Sequence, residues 1–418
     1  MTAPPTTELL TAEAPATGQD MPAADDADRR VLLALCTASF LASLTFAAPA
    51  PFYPEMADDL GVTVPLLGQF STVMLLLSAL FGLAVGPIAD RYGHRRVLLV
   101  GMVAVALTLL GIGLAPTYPA LLGVGAAGGL GDAVVLGLPL AIAGTRFSGE
   151  AHRRAVGWTI ASLASAPIVG VPLLTLLGSF VGWRPVFAVI GAVALGATWL
   201  VRDALPADAP RPTGTGRLDA RALLAAYRPL LGHRPTLRLF GATALRAMCW
   251  LGLLNYLGAF LDEELDLSTR LIGVSYMLGG GGYFLGSLAA GGRLGRYPLR
   301  PLFAVTTAAM GVLMGVIFAT VFGTVAAIGL LPLAGVAGAI GWVALTTLLA
   351  SETPAGAGTT MVLNGSIFNL GAAGGGAIGG LLLALGGYGV LALGLPVFAI
   401  AAALLVWWPS RRGARRAS

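Results

Sequence analysis

Two ionisable side chains lie where a bilayer tolerates few. Asp132 and Arg246 fall deep inside long apolar stretches. At 1.5 Å per residue, Asp132 lies about 20 Å along its stretch and Arg246 about 14 Å along its own, both near mid-depth of a bilayer. Charges at such depth face water or each other and mark functional paths. A carboxyl there can hold a proton in one state of hydration and release it in another, which makes Asp132 the candidate for proton coupling. Arg246 keeps its charge and offers a fixed cation or a contact for a substrate oxygen. The plainer alternatives are packing of Asp132 against a Ser, Thr or backbone group, and Arg246 as a strut on a carbonyl. Trp250 follows Arg246 by one helical turn, with Tyr256 and Trp342 further on. Asn255, Asn364 and Asn369 offer amides, and Asn364 shares a helix face with Phe368 by their i,i+4 spacing. One acid, one base and several aromatics suit a small amphiphilic organic molecule, although any single aromatic or amide of this kind more often serves interhelical packing than ligand contact.

Other chemistries find no support. No phosphate-cradling Walker loop is present, no Ser-His-Asp set suggests an enzyme, and no cofactor is implied. The three histidines are scattered, and Cys36 and Cys249 fall in different apolar stretches, which gives neither a metal site nor a disulfide.

The elements that must position these residues are membrane helices. Of 418 residues, 56% are hydrophobic and 11% charged, against about 25% charged in soluble domains. The 59 glycines let helices approach closely where lipid offers no hydrophobic drive for packing. The apolar pattern predicts twelve spans near 31–53, 66–89, 97–115, 119–146, 155–180, 184–202, 237–261, 270–292, 299–321, 324–349, 357–384 and 388–408. Residues 1–28 hold six acidic side chains amid Pro, Ala and Thr and read as a disordered cytoplasmic tail. Arg29 and Arg30 then hold the N-terminus inside. With that orientation every arginine except Arg184, Arg246 and Arg270 falls on the cytoplasmic side, including the basic tail 410–418. The positive charge therefore sets topology, and no nucleic acid is implied. The linker 203–236 opens with Pro206, Pro210 and Pro212, and its Arg217–Leu231 stretch reads as an amphipathic surface helix or a flexible tether. It divides the chain into six-span bundles at 29–202 and 237–409.

The loop between spans 2 and 3 reads Gly86-Pro-Ile-Ala-Asp90-Arg91-Tyr-Gly93-His94-Arg95-Arg96. It resembles the signature loop of the major facilitator superfamily, G-x-L-A-D-R-x-G-R-R, at Gly86, Asp90, Arg91, Gly93, Arg95 and Arg96. Gly292-Arg-Leu-Gly-Arg296 echoes it between spans 8 and 9, as two related halves require. The resemblance implies an all-α membrane protein, with twelve transmembrane helices in two pseudo-symmetric six-helix bundles and a cavity lined by spans 1, 4, 7 and 10. A helix N-terminus carries free N–H groups and positive potential that suit a carboxylate, so Asp90 is expected to anchor a cytoplasmic gate by accepting hydrogen bonds near the start of span 11, around Gly356 to Thr359, with Arg146 or Arg153 completing the charge cluster.

Span 5 contains Ser162, Ala166, Pro167, Gly170 and Val171 in an arrangement similar to the G-x-x-x-G-P-x-x-G-G motif of drug:proton antiporters, matching at Pro167 and Gly170. Its small residues would allow close packing on span 8. The arginine that many such exporters carry early in span 4 is replaced by Ala127. Span 1 has no acidic residue, only Ser39, Ser43 and Thr45. Span 11, from Gly358 through Asn364, Phe368, Asn369 and Gly371, resembles sugar- and drug-efflux permeases. The leading expectation is a monomeric, proton-coupled exporter of a drug, antibiotic or metabolite in a bacterial cytoplasmic membrane, its partners being small-molecule substrate, protons and lipid. An importer or facilitator on the same fold is the alternative, and a transport-dead membrane sensor a third reading. The expected substrate cavity comprises Arg246, Trp250, Asn255, Tyr256, Trp342, Asn364 and Phe368.

Overall fold

The computed structural model describes residues 21–205, 227–291, 297–319, 323–354 and 357–407. The first twenty residues, most of the linker, the Gly292–Arg296 echo and the basic tail lie outside them. Among the described residues, regular structure is helical throughout. Eleven helices are long and apolar enough to cross a membrane. The last, Thr359–Trp407, has 49 residues and would extend about 74 Å, more than twice a hydrocarbon core of about 30 Å. It breaks at Gly386 and Gly387. Gly387 has φ 67° and ψ −165°, a conformation almost confined to glycine. The break makes two crossings, hence twelve spans.

Spans 2, 3, 4 and 6 are Val64–Tyr92, His94–Leu114, Tyr118–Arg146 and Trp183–Ala204. Spans 7 to 10 are Arg234–Glu263, Thr269–Gly291, Leu299–Phe318 and Gly323–Glu352. Span 1 departs from a single helix. Met21–Ala47 gives way to a 3₁₀ turn, Ala50–Phe52, and a short helix, Tyr53–Leu60. Pro49, Pro51 and Pro54 cause this break, each removing a backbone donor. Span 5 runs from Gly149 to Ser165, passes through a π turn at Ala166–Gly170 and continues as Val171–Val181. Pro167 sits in that turn, which is a recognised cause of helix distortion.

The halves share one packing pattern. Within the first, span 1 packs on 5, 2 on 4, and 3 on 4 and 6; within the second, 7 packs on 11, 8 on 10, and 9 on 10 and 12. Spans 2 and 11, and their counterparts 8 and 5, carry the main contacts between halves. Spans 2 and 11 run antiparallel: Gly376 lies against Gly68 and Thr72, Asn369 against Ser78, and Ser366 against Gly82. A Cβ on Gly376 would lie 2.7 Å from Thr72 Oγ1, so glycine is what permits this crossing.

The end bearing the Gly86–Arg96 loop is here the motif end, and the opposite is the far end. Span 1 and span 7 close the far end. Tyr53 Oη is 2.6 Å from Ser71 Oγ and donates to Asn255 Oδ1 at 3.2 Å. Thr269 Oγ1 donates to Glu55 at 2.8 Å. Gly258 lies so close to span 1 that a Cβ there would be 2.7 Å from the Ala50 carbonyl.

Candidate functional site

A cavity of about 240 Å³ lies between the halves, on the motif-end side of that closure. Span 1 contributes Ser43, Phe46, Ala47 and Ala50, one face at i, i+3, i+4 and i+7. Span 7 contributes Trp250, Leu254, Leu257 and Asn255. Span 8 presents Tyr276 and Tyr283, seven residues apart, flanking Gly279 and Gly280. Pro167, from the π turn of span 5, completes one wall. No charged side chain is among the lining residues. Tyr276 donates to the Leu254 carbonyl at 2.8 Å and Ser275 to Leu271 at 2.9 Å. Asn255 accepts from Tyr53, but its Nδ2 is buried without a hydrogen-bond partner. A buried donor left unpaired costs about 1–3 kcal/mol, a cost that an acceptor on a bound molecule would remove.

Of the expected cavity residues, Trp250 and Asn255 line this space. Tyr256 belongs instead to the contact between halves: its hydroxyl donates to the Gly376 carbonyl at 2.7 Å and presses on Gly68. Asn364 accepts from Thr243 at 2.7 Å, tying span 11 to span 7. Trp342 and Phe368 pack on each other with ring centroids 5.0 Å apart. Arg246 is 1% exposed and donates to the Gly338 carbonyl. Its guanidinium lies 5.4 Å from the Trp342 ring centroid and also interacts with the Tyr283 hydroxyl. Trp250 and Tyr283, with centroids 6.0 Å apart, link it to the cavity. Phe46, Tyr276 and Tyr283 escaped the sequence reading; the heptad spacing of the two tyrosines was the signal available.

Asp132 and Arg246 are not brought together. Asp132 lies in the first half, 3% exposed, and accepts from Ser78 Oγ at 3.0 Å. Direct tuning of Asp132 by Arg246 is therefore not seen, because their helices present them to different neighbours. Gly129 explains the placement: a Cβ there would lie 2.3 Å from the Met74 carbonyl of span 2. One turn along each helix, the short Asp132 side chain meets Ser78. Ser78 Oγ in turn accepts from Asn369 Nδ2 at 3.0 Å, so the acid connects to span 11 across the boundary between halves.

At the motif end Gly93 has φ 96° and joins spans 2 and 3, a conformation that disfavours other residues. Asp90 is 75% exposed in its side chain, with His94 Nε2 at 3.8 Å. Gly86 leaves open space where a side chain would be. Arg91 lies over the Tyr92 ring at 5.4 Å, Arg95 donates to the Arg202 carbonyl at 2.6 Å, and Arg96 is exposed. The expected partner region of Asp90 begins at Gly356, which is outside the described residues, as is the Arg153 side chain. Arg146 pairs with Asp28 at 3.3 Å rather than with Asp90. The close packing of spans 5 and 8 is present, but through the glycines of span 8. Gly273 abuts Thr175 and Gly280 abuts Ile168, while Gly170 of span 5 faces Phe40 and Leu44 of span 1.

Residues 35–373 match the family model of the Major Facilitator Superfamily. The chain belongs to that superfamily. It is a multi-pass membrane protein with the major facilitator fold, and the family is one of transporters, not enzymes. A chloramphenicol resistance protein of Streptomyces lividans is 28% identical over 60% of this chain and 64% of its own. The cephamycin export protein CmcT of Amycolatopsis lactamdurans is 32% identical over 45% of this chain and 39% of its own. The alignments thus span less than two thirds of either relative. Among solved structures, a point mutant of the nucleoside transporter NupG superposes with a TM-score of 0.72 at 17% identity, over 90% of this facilitator and 98% of that chain.

Proposed function

We propose that the chain is a proton-coupled exporter of small amphiphilic organic molecules, acting as a monomer in a bacterial cytoplasmic membrane with both termini inside. The cavity carries this reading: an apolar, aromatic space between the halves, closed at the far end. With the arginine-rich motif loop in the cytoplasm, that closure lies on the outer side of the cavity. The cavity, about 240 Å³, falls just under the ~300 Å³ at which small-molecule sites begin, so it favours compact substrates. Trp250, Tyr283 and Phe46 supply flat apolar contact, and Asn255 supplies a donor for a substrate oxygen. Arg246, behind Tyr283, supplies a fixed positive charge. The names of the two curated relatives, a resistance protein and an export protein, favour the outward direction. Asp132, buried near the contact between halves, is assigned the proton. Asp90 and the arginines of its loop are assigned to the cytoplasmic gate, which forms when that end closes.

The test uses everted vesicles and radiolabelled chloramphenicol. An exporter accumulates the probe against its gradient, and an uncoupler abolishes the accumulation. Asp132→Asn should retain counterflow exchange and lose uphill accumulation. Uphill pumping by that variant with unchanged pH dependence would remove Asp132 from the coupling role.

A further inference from the structure

We propose that Asn369 and Ser78 form a latch on Asp132 that stops the empty, ionised carrier from crossing between its two states. This rests on the reading of Asp132 as the proton site. The three residues occupy spans 11, 2 and 4, and are 5%, 1% and 3% exposed. Asn369 Nδ2 donates to Ser78 Oγ at 3.0 Å, and Ser78 Oγ donates to Asp132 Oδ2 at 3.0 Å. The chain has a fixed direction. An amide nitrogen can only donate, so the Ser78 oxygen accepts from Asn369 and its single hydrogen points to the acid. An ionised carboxylate only accepts, which suits that direction, and such a bond is about twice as strong as its neutral counterpart. Protonation of Asp132 therefore weakens the link that holds span 11 to span 2. The proton comes from water on the open side and returns to water on the other, with no further reactant.

Among the described residues, no other charge competes for this carboxylate in the layer it occupies. Span 11 carries no charged residue. The helices packed on span 4 are spans 1, 2, 3 and 5. Their charged side chains sit at the helix ends. Among the described side chains, at the motif end are Asp26, Asp28 with Arg146, Asp90 with His94, then Arg29, Arg30, Arg91, Arg95, Arg96, His152 and Arg154; at the far end are Glu55, Asp58 and Asp59. Cys36 lies inside span 1.

An antiporter needs such a latch. The proton-loaded carrier and the substrate-loaded carrier must cross, while the empty ionised carrier must not, because its crossing would let protons leak without transport. Protonation weakens the link directly. Substrate has a second route to it. Phe46 and Leu251 line the cavity, and both pack with Phe368 on the small group formed by Leu75, Ala247, Ala372 and Ala373. A molecule that displaces Phe46 or Leu251 thus acts on Phe368, the neighbour of Asn369.

Purified full-length protein in liposomes containing pyranine, given an imposed pH gradient and no substrate, tests this. Wild-type protein should hold the gradient. Ser78→Ala should dissipate it about tenfold faster or more, given the usual strength of a hydrogen bond to a charged group. Asn369→Leu, which cuts the other link, should leak similarly. Ser78→Thr keeps the hydroxyl and should stay tight. Asp132→Asn combined with Ser78→Ala should not leak, because the proton carrier is gone. A Ser78→Ala variant as tight as wild type would overturn the latch, as would equal leakage in the double variant. The coupling role of Asp132 stands or falls separately, on uphill accumulation by Asp132→Asn alone. Loss of accumulation there together with a tight Ser78→Ala overturns the latch and leaves the function intact.

Discussion

The far-end closure makes a quantitative prediction at Gly68. A methyl group there would lie 1.9 Å from Tyr256 Oη and 2.4 Å from its Cζ. The tyrosine has little room to withdraw: it is fully buried and its hydroxyl is held by the Gly376 carbonyl at 2.7 Å. Overpacking of this kind costs about 1–3 kcal/mol. That cost falls on the state in which spans 2 and 7 meet, and it is relieved when the halves part at this end. A penalty of about 2 kcal/mol moves the population about 30-fold away from the closed state. Gly68→Ala should therefore favour the conformation open at the far end. The assay is the rate at which a membrane-impermeant thiol reagent, added on the far side, modifies Ser43→Cys in the cavity. The background should carry Cys36→Ala and Cys249→Ala. Labelling should accelerate in Gly68→Ala and return toward the original rate when Tyr256→Leu removes the obstructing ring. An unchanged rate in folded Gly68→Ala protein would refute the reasoning, since the same contact would then be free of cost in the closed state.

Two further predictions concern binding and stability. For a small amphiphile that the wild-type protein binds, Asn255→Leu should weaken binding about 2- to 10-fold, the worth of one neutral hydrogen bond, as measured by quenching of tryptophan fluorescence. Tyr53→Phe, which removes the hydroxyl that meets Asn255 and Ser71 at the far-end closure, should leave affinity unchanged, and equal loss in both would assign the effect to the closure instead of the cavity. Gly387→Ala forces a side chain into φ 67°, ψ −165° and should cost about 1–3 kcal/mol, lowering the thermal midpoint. Gly389→Ala, in open space with ordinary backbone, should not.

Hydropathy and the Gly86–Arg96 loop made the membrane-crossing helices and their family fold readable in the sequence, because membrane insertion acts on stretches of chain one at a time. The break in span 1 was less legible: its apolar pattern runs unbroken through Pro49, Pro51 and Pro54, and only the prolines' missing donors mark it. The cavity was misjudged where residue type was weighed above helix face. Trp250, Leu254 and Leu257 follow i, i+4 and i+7, and all three line the space. Tyr256 is six residues past Trp250, about 240° around the helix, and so meets span 2 and Gly376 instead.

Depth along a helix located Asp132 and Arg246, but depth carries no information about direction. Their separation follows from neighbours that no local pattern records: Ser78 is 54 residues from Asp132, and Asn369 is 291 residues from Ser78. A trace of this was nevertheless written in the glycines. Helices in lipid meet where side chains are smallest, and the polar group nearest such a point is the one able to reach across. Gly129 stands one turn before Asp132 on the face that meets span 2. Gly376, two turns beyond Asn369, marks the face of span 11 that meets the same helix. Both glycines therefore point their polar neighbours at span 2, and Ser78 is the buried hydroxyl at the level where the two faces converge.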